Sequence, residues 1–161
     1  MSPFTAAVPP SGIDLSALHI LLVDDDQTFL DVLEGLLRSL GVQAVTRATS
    51  GSDATRKLAT VSRVVDCILC DYSMAEGNGL QLLQSIRLGQ LKYIRPDICF
   101  ILVTVARNPE LVKLAAALDV NGYLLKPATT DTIRTAIARG RSRPIRLDPA
   151  KYSQVIVPPV A

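Results

Sequence analysis

The chain has 161 residues, 48% apolar and 20% charged, with a net charge of +2. That is enough for one ordinary domain with its own core. The charge is too small to imply a nucleic-acid partner, no apolar run is long enough to span a bilayer, and the N-terminus MSPFTAAVPP lacks the basic and apolar regions of a secretory signal. The simplest location is cytoplasmic, with no membrane partner. Cys67, Cys70 and Cys99 give an odd count, which argues against a disulfide framework. Cys67 and Cys70 form a C-x-x-C, but positions three apart in a strand face opposite sides. They read as small core residues, not as a metal or redox pair.

Residues 1–17, with Pro3, Pro9, Pro10 and Gly12, read as a loosely docked N-terminal arm. His19 to Val23 is a first apolar strand, running into Asp24, Asp25 and Asp26. His19 lies at the end away from these acids and reads as a strand-edge residue. Phe29, Val32, Leu33, Leu36, Leu37 and Leu40 recur at helical spacing, with Asp26 as N-cap and Gly41 as stop. Val42 to Arg47 alternates as a second strand. Ser50 opens a second helix with Ala54, Leu58 and Val61 inward. Val65 to Asp71 is a third strand. Asn78 caps a third helix carrying Leu80, Leu82, Leu83 and Ile86. After a loop over 89–97, Ile98 to Thr104 is a fourth strand.

Asn108-Pro109-Glu110 joins a cap, a proline at the first helical position and an acid in the first turn. The helix it opens buries Leu111, Leu114, Ala115 and Leu118. Gly122 to Leu125 is a fifth strand, ended by Lys126-Pro127. Thr129 or Thr130 caps a last helix with Ile133, Ala136 and Ile137 inward. Five β-α repeats predict an α/β domain over 18–139: a doubly wound five-stranded parallel sheet with helices on both faces and right-handed crossovers.

Residues 140–161 form a tail. The basic group Arg139, Arg141, Arg143 and Arg146 reads as a solvated helix end, and no nucleic-acid contact is expected. Tyr152 to Val157 has strand character. It lies either on its own domain or across a two-fold on a second copy, and a homodimer through this tail is the expectation.

Each residue with chemistry to offer falls at the carboxyl end of a strand. Asp24 and Asp25 follow the first, Asp71 ends the third, Thr104 the fourth, and Lys126 follows the fifth. In a parallel sheet these ends share one rim, where ligands bind in open α/β folds. Crowded carboxylates repel, and a hard divalent ion relieves them; Mg²⁺ takes such oxygens and leaves room for phosphate. Lys126 suits a phosphoryl group as a point charge and Thr104 as a hydroxyl donor. The chemistry that fits is phosphoryl transfer onto Asp71 as nucleophile. The plainer readings are that Asp71 punctuates a strand, that Asp24 and Asp25 form a solvated turn, that Lys126 is a surface lysine, and that Tyr123 is a half-buried core tyrosine.

Together V-D-D at Val23 to Asp25, D-Y-S-M-A-E-G-N-G at Asp71 to Gly79, Thr104, and Y-L-L-K-P at Tyr123 to Pro127 resemble the receiver domain of two-component response regulators. The resemblance covers about residues 18–139 and implies a flavodoxin-like receiver fold. It further implies that Asp71 accepts phosphate from a histidine kinase. Asp24, Asp25, Asp71 and the Ser73 carbonyl would hold Mg²⁺, and Thr104 and Lys126 would contact the phosphoryl group. Thr104 and Tyr123 would form a switch pair, and the Lys126-Pro127 bond would be cis. With no output domain in the chain, a partner protein would read the signal. Ala75 stands where proline is common, which should loosen the loop. Val105 stands where a smaller residue is usual and should narrow access to the phosphoryl site. Ser73 and Ala106 occupy positions that tune dephosphorylation.

Two other functions compete. An Asp-nucleophile phosphatase would need a second acid at Ser73, which counts against it. A constitutive dimeric scaffold would leave the site vestigial.

Overall fold

Five parallel strands, β1 (His19–Val23), β2 (Ala44–Ala48), β3 (Cys67–Asp71), β4 (Cys99–Thr104) and β5 (Gly122–Leu125), pair in the order β2-β1-β3-β4-β5. The computed structural model describes residues 14–74, 78–105 and 108–158. The expectations for Ala75, Ala106 and the first part of the arm lie outside the described residues. Five helices alternate with the strands: α1 (Gln27–Ser39), α2 (Gly51–Leu58), α3 (Gly79–Arg87), α4 (Pro109–Ala117) and α5 (Thr130–Ser142). A sixth, α6 (Pro149–Ser153), follows. Among the described residues no helix is long and apolar enough to cross a membrane.

Strand alternation splits the core in two. Ile20, Leu22, Cys67, Leu69, Cys99, Ile101 and Val103 face α1 and α5. Leu21, Val23, Ile68, Cys70, Phe100 and Leu102 face the cluster that takes in α2, α3 and α4. All three cysteines are free and buried, and Cys67 and Cys70 do lie on opposite faces. Strand order reverses between β1 and β3, which puts the carboxyl ends of these two beside each other at the rim.

The helix starts follow the caps read from sequence. Asp26, Ser50, Asn78, Asn108 and Thr129 each accept a backbone N–H of the first turn of their helix. Gly41 ends the α1 turn at φ 97°, the left-handed stop that glycine adopts without strain. The buried stripe of α1 is Leu30, Leu33 and Leu37, while Val32 is 47% exposed. Of the expected stripe, Leu33 and Leu37 are buried and Phe29, Leu36 and Leu40 pack against the same core, so only Val32 is misplaced and Leu30 takes the inward position. Leu30 continues the i, i+3, i+7 line, and the flank near β2 carries Asp31 and Glu34, which pair with Arg47. β2 starts two residues later than expected, because Val42 is spent closing α1, its N–H donating to the Leu37 carbonyl.

Ordered packing extends past both expected limits of the domain. Leu15, in a 3-10 turn capped by Asp14, is buried. In the tail, the expected strand over 152–157 does not form. Asp148 caps and Pro149 opens the short helix α6, the same cap-proline signature as at Asn108. Tyr152 is completely buried in the chain's own core, with Val155 and Val157 packed against it. The segment that motivated a dimer through a tail strand is therefore seated on its own domain.

Arg87 ties the α3 side together. It is 1% exposed, and it donates to the carbonyls of Leu118, Pro96, Ile98 and Asp119 and to Asn121 Oδ1. Its guanidinium satisfies an irregular set of loop carbonyls that burial would otherwise penalise. One of them belongs to Asp119, a non-glycine residue at φ 53° just after α4. Arg87→Ala should lower stability by at least about 3 kcal/mol, since several buried acceptors lose their donor at once. Arg87→Lys should recover less than half of this, having fewer donors and no planar fork. Urea unfolding measures both, and a loss under about 1 kcal/mol for Arg87→Ala would show that the carbonyls find other partners.

Candidate functional site

The rim site is set by where β1 and β3 stop. Asp24 follows β1, and its backbone N–H donates to the Ala48 carbonyl at 3.0 Å. Its side chain is 2% exposed: Oδ1 accepts the Asp26 N–H at 2.8 Å and Oδ2 accepts Lys126 Nζ at 2.9 Å. Asp71 is the last residue of β3, paired in register with Val103, and is also buried. Asp25 is exposed beside them. Carboxylate oxygens of Asp24, Asp25 and Asp71 all lie within 4.8 Å of one another, a spacing at which one small cation can bridge them.

Lys126 is delivered by β5. Its backbone N–H donates to the Thr104 carbonyl at 2.9 Å, and the following peptide bond to Pro127 is cis. Its ammonium stands 3.5 Å from Asp71 Oδ1 as well as 2.9 Å from Asp24. Burial alone would lower its pKa, but the two carboxylates outweigh that and hold it above its ordinary value. Its Nζ also lies 4.2 Å from the centre of the Phe29 ring, a cation–π contact. Thr104 ends β4 beside them and is buried. Tyr123 on β5 is half-buried, its hydroxyl donating to the Val112 carbonyl of α4 at 3.2 Å. Ser73 is exposed just past β3, and Val105 is 76% exposed at the rim.

Thus Asp24, Asp25, Asp71 and Lys126 come together, with Thr104 at the adjoining strand end. Sequence reasoning missed Phe29, which it treated only as a core residue, and Gly79. A Cβ on Gly79 would lie 2.6 Å from the Asp71 carbonyl, so only glycine lets α3 start so close to the end of β3. The G-N-G run was a visible signal for such an approach.

The electrostatics are unbalanced in one direction. Desolvation first, then the Asp24 charge, push the Asp71 carboxyl up to about 6, against an opposing pull from Lys126. Raised carboxylate pKa values mark sites where negative charge is crowded. The donor set is all oxygen and hard, which suits Mg²⁺ over softer metals.

The chain belongs to the response regulator receiver domain family, whose model matches residues 20–138. Transcriptional regulatory protein ZraR of Salmonella typhimurium is 33% identical over 141 residues, which is 85% of this chain and 30% of that protein. Its Escherichia coli O157:H7 counterpart is 32% identical over 122 residues, 76% of this chain and 26% of the relative. The chain therefore spans less than a third of the length of these relatives. Among solved structures, a response regulator receiver domain protein from Clostridium thermocellum is 26% identical with TM-score 0.66, covering 78% of this chain and 94% of that one. Vibrio cholerae chemotaxis protein CheY4 superposes with TM-score 0.67 at 23% identity, over 76% of this chain and 97% of its own, a likeness of fold alone.

Because Asp71 holds its proton more tightly in the folded state (about 6) than at the ordinary 3.8, its contribution is favourable below pH 4 and is lost as pH rises through 6. Without metal, Asp71→Asn should raise stability at pH 8 by about 1–2 kcal/mol, less than the full shift because the substitution also removes the ion pair with Lys126. The gain should fade toward zero near pH 4, as read by thermal unfolding across pH. An equal gain at both pH values would contradict the charge-crowding account.

Proposed function

We propose that this chain acts as a phosphorylation-controlled signalling receiver, taking a phosphoryl group onto Asp71 from the phosphohistidine of a histidine kinase. The observation that carries the reading is the joint reach of Lys126 to Asp24 and Asp71 beside a three-carboxylate cluster. In the transfer, an Asp71 carboxylate oxygen forms a bond to phosphorus as the phosphorus–nitrogen bond to the donor histidine breaks. Lys126 binds a phosphoryl oxygen, exchanging its ion pair with Asp71 for the new group. The Thr104 hydroxyl donates to another. Asp24, Asp25, Asp71 and the Ser73 carbonyl would hold Mg²⁺, which supplies charge neutralisation for the crowded oxygens.

The signal follows from packing. The new dianion draws Thr104 inward, and Tyr123 gives up its bond to Val112 and follows, changing the face formed by α4, β5 and α5. This is a bistable change biased by local charge. A partner protein then reads that face in the cytoplasm. A DNA contact is not carried over from the relatives named as transcriptional regulators, since the match covers only 30% of their length. A homodimer through the tail is not part of the proposal either, because Tyr152 is buried on its own domain.

Incubation with a phosphohistidine donor and Mg²⁺ should add one phosphoryl mass, mapped to Asp71 and absent in Asp71→Asn or with chelator. Lys126→Ala should slow the reaction on the order of 100-fold, as loss of one fixed electrostatic partner does. An unmodified wild-type chain, or continuous turnover of a simple phosphate ester, would overturn this reading. Val105→Ala should speed labelling by small phosphodonors if the valine narrows access; equal rates would remove that role.

A further inference from the structure

The tail grips α3 from end to end. After α5, Arg143 Nη1 donates to the Val120 carbonyl at 2.7 Å, and α6 carries Tyr152 into the core. The Tyr152 hydroxyl donates to Asp119 Oδ2 at 2.6 Å, and Lys151 Nζ reaches the same carboxylate at 3.1 Å. From there the chain runs back toward the rim. Gln84 Nε2 donates to the carbonyls of Tyr152 at 2.9 Å and Val155 at 2.8 Å. At the far end Asn78 Nδ2 donates to the Pro158 carbonyl at 2.9 Å.

Asn78 performs two tasks with one amide. Its Oδ1 accepts the Gln81 N–H as the α3 cap, while its NH₂ holds the tail. Asp or Ser would cap as well, but a carboxylate has no donor left for Pro158. The next residue, Gly79, donates its N–H to the Tyr72 carbonyl at 3.0 Å and lies against the Asp71 carbonyl. One side chain and one backbone contact thus separate the tail from Asp71.

We propose that residues 149–158 are a strap whose docking along α3 and ligand loading at Asp71 favour each other. The inference rests on the reading that Asp71 takes a phosphoryl group, and it adds that the chain's own tail regulates that site. The docked strap fixes the start of α3 against the end of β3, so less ordering remains to be done when the site is loaded. Coupling of this kind is reciprocal, so a loaded site holds the strap more tightly. Asn78 and Gln84 act as positioning residues through the backbone of Asp71.

The test uses the full chain and two variants remote from the rim, Gln84→Ala and Tyr152→Phe, with Mg²⁺ plus beryllofluoride as the probe. Two quantities are measured: probe affinity, and hydrogen exchange of the 152–157 amides with and without probe. The strap predicts slower tail exchange in the loaded wild type. It also predicts probe binding weakened about threefold to tenfold in Gln84→Ala, the range that one or two neutral hydrogen bonds supply. Tyr152→Phe should lie between the two. Unchanged affinity in both variants, or tail exchange indifferent to the probe, overturns the strap and leaves the Asp71 reading standing. A wild type that binds no probe overturns the Asp71 reading, and the strap with it.

Discussion

Negative charge crowded where the sheet order reverses is the constraint to which the rest of this structure answers. Two carboxylates, Asp24 and Asp71, are buried at adjoining strand ends, and a third, Asp25, stands exposed beside them. In water such a group would be harmless; partly desolvated it is not. Lys126, whose ammonium reaches two of the acids, lowers the cost without removing it, as the raised Asp71 pKa of about 6 shows. A site left in this condition is one that a further cation stabilises.

The scaffold keeps that arrangement from relaxing. β1, β3 and β4 carry apolar residues on both faces, each such side chain contributing about 1.5–3 kcal/mol when buried. The strand ends cannot slide without exposing them. Gly79 lets α3 begin against Asp71, and Phe29 lies beneath the ammonium of Lys126. At the opposite end of α3, Arg87 draws together the loops before β4 and after α4. The site therefore sits on rigid elements, while the face formed by α4, β5 and α5 retains a tyrosine hydrogen-bonded to a helix carbonyl, a contact that can be exchanged.

Much of this was legible in the residues. Strand and helix order followed from apolar runs and caps, because Asp26, Ser50, Asn78, Asn108 and Thr129 each combine a side-chain acceptor with a following periodic segment. The rim residues were legible because strand ends in a parallel sheet converge. What was not legible depends on tertiary contacts. That Leu30 and not Val32 completes the inward face of α1 depended on how the helix is set against the sheet, with Arg47 holding Asp31 and Glu34 on the flank near β2. The burial of Arg87 depended on carbonyls from two separate loops, one before β4 and one after α4. The tail misled because Val155-Ile156-Val157 suggested a strand, while the cap and proline at Asp148 and Pro149, a signal already used at Asn108, went unread.

The most direct measurement of the central claim is a calorimetric titration of the full chain with Mg²⁺ at several pH values. Crowded acids relieved by a cation predict a single site per chain whose affinity falls as pH drops through about 6, where Asp71 takes up its proton, and which is lost in Asp25→Asn. Binding that ignores pH across that range, or persists undiminished in Asp25→Asn, would contradict the account.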